Sequence, residues 1–220
     1  MSDSLQAALK QGAQALALKL NEQQFGLLLD YLALIQKWNK VYNLTAIRDP
    51  AEMLTHHLLD SLAVIQPLRQ QLQGRVPADG RGFKLLDVGT GAGLPGVVIA
   101  ICCPDIAVTC VDTVAKKAAF VQQVAVSLKL PNLHGLHARV ETLTEEYDVV
   151  SSRAFASLVD FTNWSRSALA SSGVWLAMKG KHPADELAQL PAAVEVFHVE
   201  QLAVPGLAAE RCIVWMRKRA

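Results

Sequence analysis

LLDVGTGAGLPG, Leu85 to Gly96, carries the strongest signal in the chain. An apolar run ends at Val88, glycines alternate at Gly89, Gly91 and Gly93, and Pro95 follows where a helix is set to open. Glycine suits a turn whose backbone angles a Cβ would forbid, and it lets a ligand approach the main chain closely. Proline suits a first helical turn, where its missing N–H has no intrahelical partner. The expectation is a strand, a ligand-cradling turn and a helix.

Two ligands compete for that turn. Gly91 to Gly96 spells G-x-G-x-x-G, a dinucleotide fingerprint. Against NAD, the glycine run begins earlier, at Gly89, and Asp87 stands two residues before it. A pyrophosphate seeks helix N–H groups and is repelled by a carboxylate. The ammonium and sulfonium of S-adenosylmethionine (SAM) would be favoured by Asp87, directly or through water. SAM is the reading preferred here; a dinucleotide and a purely structural turn stay open.

Residues farther along fit an adenosine ligand. Asp112 ends the next apolar run, IAVTCVD, and can accept hydrogen bonds from both ribose hydroxyls, or else cap the helix that starts near Val114. In ARVE, a main-chain N–H near Val140 or Glu141 can read an adenine ring nitrogen; an ordinary surface loop is the plainer alternative. Arg153 and Phe155 follow the run YDVVSS. The guanidinium fork suits a carboxylate or a phosphate, and the ring can stack on a base. A solvent-facing Arg and a core Phe are equally consistent.

Around the glycine turn the periodicity changes. Before it, Leu5 to Leu20, Phe25 to Ile35 (with Asn21 as N-cap) and Pro50 to about Ile65 repeat apolar residues at helical spacing. After it, FKLLDV, IAVTCVD, NLHGLHA, YDVVSSRA and VWLAMKG read as strands, with helices over Pro95–Ile101, Val114–Leu128 and Leu158–Leu169. Alternating strand and helix means a parallel sheet covered on both faces. AAVEVFHVEQLAVP and ERCIVWMRKRA, with no helix between, add an antiparallel C-terminal hairpin. The expected organisation is an N-terminal helical extension (1–72), a loop or linker (73–82) and an α/β, Rossmann-like, class I methyltransferase domain (83–220), all in one compact unit.

Composition narrows the class. Half the residues are hydrophobic and the formal net charge is +1, so any nucleic-acid surface must be a local patch. Asp3, Lys10 and Lys19 interrupt the N-terminus, which argues against a signal peptide. The most apolar window, Leu94–Cys103, is too short for a membrane span. Cys102, Cys103, Cys110 and Cys212 lack metal-ligand spacing and read as buried thiols. A cytoplasmic protein with no metal is expected.

Five segments resemble one family: WNKVYNLTAIRDPAEML (Trp38–Leu54), HLLDSL (His57–Leu62), the glycine turn, RVE (Arg139–Glu141) and SRAFASL (Ser152–Leu158). They resemble the bacterial 16S rRNA guanine-N7 methyltransferases known as RsmG or glucose-inhibited division protein B. The resemblance implies SAM contacts at Gly89, Leu94, Val140, Glu141 and Arg153, beside the candidates Asp87, Gly91 and Asp112. It implies a guanine in small-subunit ribosomal RNA as acceptor, in the subunit or an assembly intermediate, and a chain acting as a monomer. Ala92 departs from a frequent Pro and His56 from an occasional Arg.

Guanine N7 has a free lone pair and no proton to lose, so no general base is required. No residue is singled out as catalytic beyond Arg153; alignment of the reacting atoms would carry the rate. RNA would be gripped by Lys37, Lys40, Arg48 and His57, with Trp38 and Tyr42 interleaved either as stacking platforms or as packing. His57 and Asp60, three apart, are expected to share a helix face and to hydrogen-bond. An NAD-dependent oxidoreductase and a methyltransferase of another RNA remain the alternatives.

Overall fold

The computed structural model describes residues 2–219. α1 (Ser2–Ala15) and α2 (Glu22–Tyr42) form because their apolar residues fall on one face. α1 was expected to run to Leu20, but the chain turns off at Ala17, which takes a left-handed φ of +54°. Asn21 starts α2 with a reciprocal capping box. Its Oδ1 accepts from the Gln24 N–H at 2.8 Å, and Gln24 Oε1 accepts from the Asn21 N–H at 3.1 Å. Asn43 ends the helix at φ +49°, a left-handed position that asparagine tolerates.

The helix expected from Pro50 to about Ile65 winds without a gap to Leu62, but its pitch changes along the way. α3 (Pro50–Met53) is capped by Asp49 Oδ1, which accepts from the Ala51 and Glu52 N–H groups. A π-helical segment (Leu54–Leu59) follows, then α4 (Asp60–Leu62) and α5 (Ile65–Leu72). The loop 73–83 is not a free linker. Asp148 accepts from the Ala78 and Lys84 N–H groups at 2.7 and 2.9 Å and pins its middle and its far end.

Seven strands then form one sheet: β1 (Lys84–Val88), β2 (Ala107–Asp112), β3 (Leu133–His137), β4 (Tyr147–Arg153), β5 (Leu169–Lys179), β6 (Val194–Leu202) and β7 (Arg211–Lys218). The order is β3-β2-β1-β4-β5-β7-β6. The first five are parallel, and β7 inserts antiparallel between β5 and β6. This is the expected mostly parallel sheet ending in an antiparallel hairpin, a class I methyltransferase layout. A dinucleotide-binding sheet runs 3-2-1-4-5-6 in parallel, so the inserted strand speaks against the NAD alternative. α6 (Gly96–Cys102), α7 (Ala115–Ser127), α8 (Leu158–Trp164) and α9 (Ala184–Ala188) complete the chain, with a 3-10 turn at Val140–Thr142. α8 was expected to reach Leu169. It stops at Trp164, because Ser165 caps the turn and takes the Trp175 indole N–H at 2.9 Å.

One apolar core joins the extension to the sheet. Leu28, Tyr31, Ile35 and Leu58 pack with Val97, Val121 and Leu176 on one face. Leu86, Val150, Phe161 and Trp175 fill the other. The four cysteines are buried free thiols, and burial pushes Cys103 up to about 11. Among the described residues no helix is long and apolar enough to cross a membrane.

Candidate active site

The strand order reverses between β1 and β4, and a crevice opens there beyond their C-terminal ends, where open α/β sheets hold ligands. The glycine turn forms its floor. Gly89, Gly91 and Gly93 have φ of +63°, +60° and +93°, which L side chains rarely adopt. A Cβ on Gly91 would meet no atom within 4 Å, so its main chain faces open space. Gly96 is glycine for another reason. A Cβ there would lie 2.3 Å from Cys110 Sγ. Gly96 therefore serves packing of α6 on the sheet, and the G-x-G-x-x-G pattern owes its last glycine to that. The Leu94–Pro95 peptide is cis, and Pro95 stands just before α6 instead of inside it.

Asp87, expected to favour the cationic ligand directly or through water, is fully buried behind the turn and lines neither cavity. Its Oδ2 accepts from Thr90 Oγ1 at 2.6 Å and from the Gly96 N–H at 3.2 Å, and its Oδ1 accepts from Ser151 Oγ at 2.9 Å. Asp87 thus ties the turn to α6 and β4. Burial pushes its carboxyl above the ordinary range, against the pull of those hydrogen bonds. Tyr31 braces the turn from the other side, its hydroxyl donating to Ala92 O at 2.7 Å.

Two cavities share the turn as a common wall. One, about 390 Å³, is lined by Gly89, Asp112, Val140, Glu141, Phe155 and Trp164, among others. Asp112 Oδ2 accepts from the Gly91 N–H at 3.0 Å and Oδ1 from the Val114 N–H at 2.9 Å, so one carboxylate holds both the turn and the start of α7. Lys117 Nζ stands 3.9 Å from it. Phe155 lies edge-on to Trp164, with centroids 5.8 Å apart, and its ring packs directly on Gly89. Ala154, just before it, has φ +51°.

The other cavity, about 560 Å³, contains Leu94, Gly91, His57, Asp60, Arg153 and Arg211 in its wall. Asp60 is the hub. Its Oδ2 accepts from Arg153 Nη1 at 2.8 Å and its Oδ1 from Arg211 Nε at 2.9 Å. Arg153 Nη1 also donates to His56 O at 3.0 Å. Both of these bonds run through one nitrogen of the fork. Lys117 and Lys179 line the same space, Lys179 paired with Glu186 at 2.8 Å. Tyr31, Asp60, Lys117, Lys179 and Arg211 were not singled out from the sequence as cofactor or RNA contacts. The available signal was position: Lys179, next to last in the run VWLAMKG, stands at a parallel-strand tip.

The expected His57–Asp60 hydrogen bond does not form. Asp60 is taken by two arginines, and His57 Nε2 sits 2.9 Å from Thr45 Oγ1 instead. The π-helical winding widens the turn, so residues three apart no longer stack as in an α-helix. His57 Nδ1 is buried with no partner. Burial, then the Arg153 charge, lower the His57 pKa to about 4. The ring is neutral near pH 7.

Of the four residues expected to grip RNA, His57 alone enters this cavity. Lys37, Lys40 and Arg48 line a separate groove of about 520 Å³ beside α2. Trp38 turns out to be packing: it stacks on Tyr42 at 5.2 Å and meets Phe120 edge-on. Among the described residues no group of three or more His, Cys, Asp or Glu could hold a metal ion.

Comparison with known proteins bears on this geometry. Residues 24–214 match the model of the family described as GidB, rRNA small subunit methyltransferase G. The chain is 71% identical over 209 residues to the ribosomal RNA small subunit methyltransferase G of Polaromonas sp. (strain JS666 / ATCC BAA-500), covering 95% of this chain and 92% of the relative. It is 69% identical over 216 residues to the protein of that name from Acidovorax ebreus (strain TPSY), covering 97% and 96%. Among solved structures, TrmN from Thermus thermophilus superimposes with a TM-score of 0.56 at 18% identity, over 76% of this chain and 53% of that one. A SAM-dependent methyltransferase from Aquifex aeolicus gives 0.53 at 15%, over 76% and 98%. Those two likenesses concern the fold.

Proposed function

Because the chain belongs to the GidB family, rRNA small subunit methyltransferase G, we infer that its two cavities are the two halves of one transfer site. The enzyme moves a methyl group from SAM to N7 of a guanine in 16S ribosomal RNA. The observation that carries this assignment of the cavities is their shared wall: Gly89, Ala154 and Lys117 line both.

The residues present fit SAM. Gly91 offers bare main chain with no atom within 4 Å of where a side chain would begin. Asp112, at the edge of the smaller cavity, keeps acceptor lone pairs for ribose hydroxyls. Val140 and Glu141 flank the place of an adenine. Leu94 and Arg153 would hold the amino-acid end, where an unused guanidinium nitrogen suits a carboxylate. When bound, SAM supplies an electrophilic methyl on a positively charged sulfur.

The protein's own part is orientation and charge. Guanine N7 attacks with a free lone pair, so no residue has to remove a proton. Leu44, Ile47 and Met178 give the larger cavity apolar walls for a base. Asp60 fixes Arg153 and Arg211 at their places, and a fixed donor costs no reorganisation during reaction. The product guanine is cationic. A neutral His57 adds no charge against it, and Asp60 offsets the arginines.

Labelled SAM incubated with small subunits from cells lacking the modification tests the reading. Label should appear at guanine N7 of 16S rRNA in mass mapping. Arg153→Ala should lower kcat/KM by roughly 100-fold, as expected for losing one partner of a desolvated charge pair. Thermal stabilisation by NAD and none by SAM would overturn the assignment. The same reading places the enzyme in the cytoplasm, as a monomer acting on the subunit or an assembly intermediate.

A further inference from the structure

The groove beside α2 is distinct from the transfer site. Ala33, Lys37 and Lys40 stand at positions i, i+4 and i+7 of α2 and so share one helix face, with Gln36 beside them. Asn43, Arg48 and Met53 complete its lining. Lys37, Lys40 and Arg48 are exposed, and none of them has an ion pair among the described residues. No carboxylate lines the groove. The nearest acid in sequence, Asp49, is occupied with capping α3.

A solvated lysine face on a helix is ordinary. Here the three cations line one concavity, and part of its wall is fixed. Asn39 Oδ1 accepts from the Thr45 N–H at 2.9 Å, which anchors the segment 43–49 to α2. That segment has two sides. Leu44, Thr45 and Ile47 line the transfer cavity, whereas Asn43 and Arg48 line the groove. A strand that presents a base to the cavity must lead its backbone away from it, and the groove begins on the other side of this one loop.

We propose that this groove is a phosphate-binding exosite that holds the single-stranded RNA backbone flanking the target guanine. The proposal rests on the rRNA substrate stated above. Three cations that displace counterions condensed on the RNA phosphates would contribute to affinity and to its salt dependence, without reading sequence.

The test uses the full chain with Lys37→Gln, Lys40→Gln and Arg48→Gln combined. Binding to unmodified 16S rRNA is followed by anisotropy from 50 to 200 mM salt. Three lost single-strand phosphate contacts should flatten the slope of log affinity against log salt by about 2. The wild-type fall in affinity over that range should then exceed the variant's by about 20-fold. Lys37→Arg, Lys40→Arg and Arg48→Lys together should keep the wild-type slope. Calorimetric SAM affinity of the Gln variant checks that it is folded. An unchanged slope overturns the proposal. So does unchanged binding to naked rRNA with transfer lost on assembled subunits, which would make the groove a contact for a ribosomal protein. If the wild type itself transfers no methyl to 16S rRNA, the functional reading fails instead.

Discussion

His57 shows how one side chain's surroundings set its chemistry. Its ordinary pKa of 6.5 falls to about 4 in the fold, first through burial and then through the Arg153 charge. Asp60, which pulls the other way, is committed to two arginines. Between those two pH values the unfolded chain binds the proton and the folded chain does not. The contribution of His57 to stability is therefore full above pH 6.5 and is lost as pH falls toward 4. Urea unfolding at pH 7 and pH 4.5 should show a loss about 2–3 kcal/mol larger in the wild type than in His57→Gln, whose side chain never charges. Equal losses in the two proteins would place His57 outside the acid response. The histidine stood out in the sequence, but its partner did not: Thr45 is 12 residues away and across a loop.

At the scale of elements, the joint between α2 and the glycine turn matters most. The turn takes positive φ at three glycines, and it is held from behind by Asp87 and from the side by Tyr31. Burial pushes the Tyr31 phenol well above its ordinary pKa, so it remains a neutral donor to Ala92 O. Tyr31→Phe leaves that buried carbonyl without its hydrogen bond. Stability in denaturant titration should fall by about 1–2 kcal/mol. SAM affinity by calorimetry should weaken as well, because the turn loses a brace. Unchanged SAM affinity would separate the brace from the ligand. The start of α2 was readable from Asn21 and Gln24, since capping is local. The π-helical segment was not. LTHHLL carries no mark of it, and its winding follows from the contacts its side chains and the His56 carbonyl make with β4 and the loop at Thr45.

For the whole molecule, the helical extension and the sheet domain share one apolar core. α2 packs its buried residues against α6 and α7, and α4 packs against α6. The Gln24 side-chain amide donates to the carbonyls of Ile101 and Cys102, which closes the C-terminal end of α6. A chain reduced to residues 83–220 would expose Val97, Val98, Val121 and Val124. It should aggregate or lack a sharp calorimetric transition, and it should not bind SAM. A cooperatively folding, SAM-binding fragment would show that the extension is a separate module. The extension also supplies His57 and Asp60 to the transfer cavity, so it belongs to the site as much as to the core.

The sequence by itself determined whatever depends on neighbours in the chain. Alternating glycines required a positive-φ turn, apolar spacing separated helices from strands, and Asp112 at a strand tip fell in the wall of the smaller cavity. Those effects are steric and periodic and act over a few residues. The tertiary structure alone decided which distant groups meet. Asp60 joins Arg153 to Arg211, which is 151 residues from it, and Asp87 ties the glycine turn to α6 and β4. Such meetings depend on how whole elements pack, and no local pattern encodes the direction in which a side chain will find its partner.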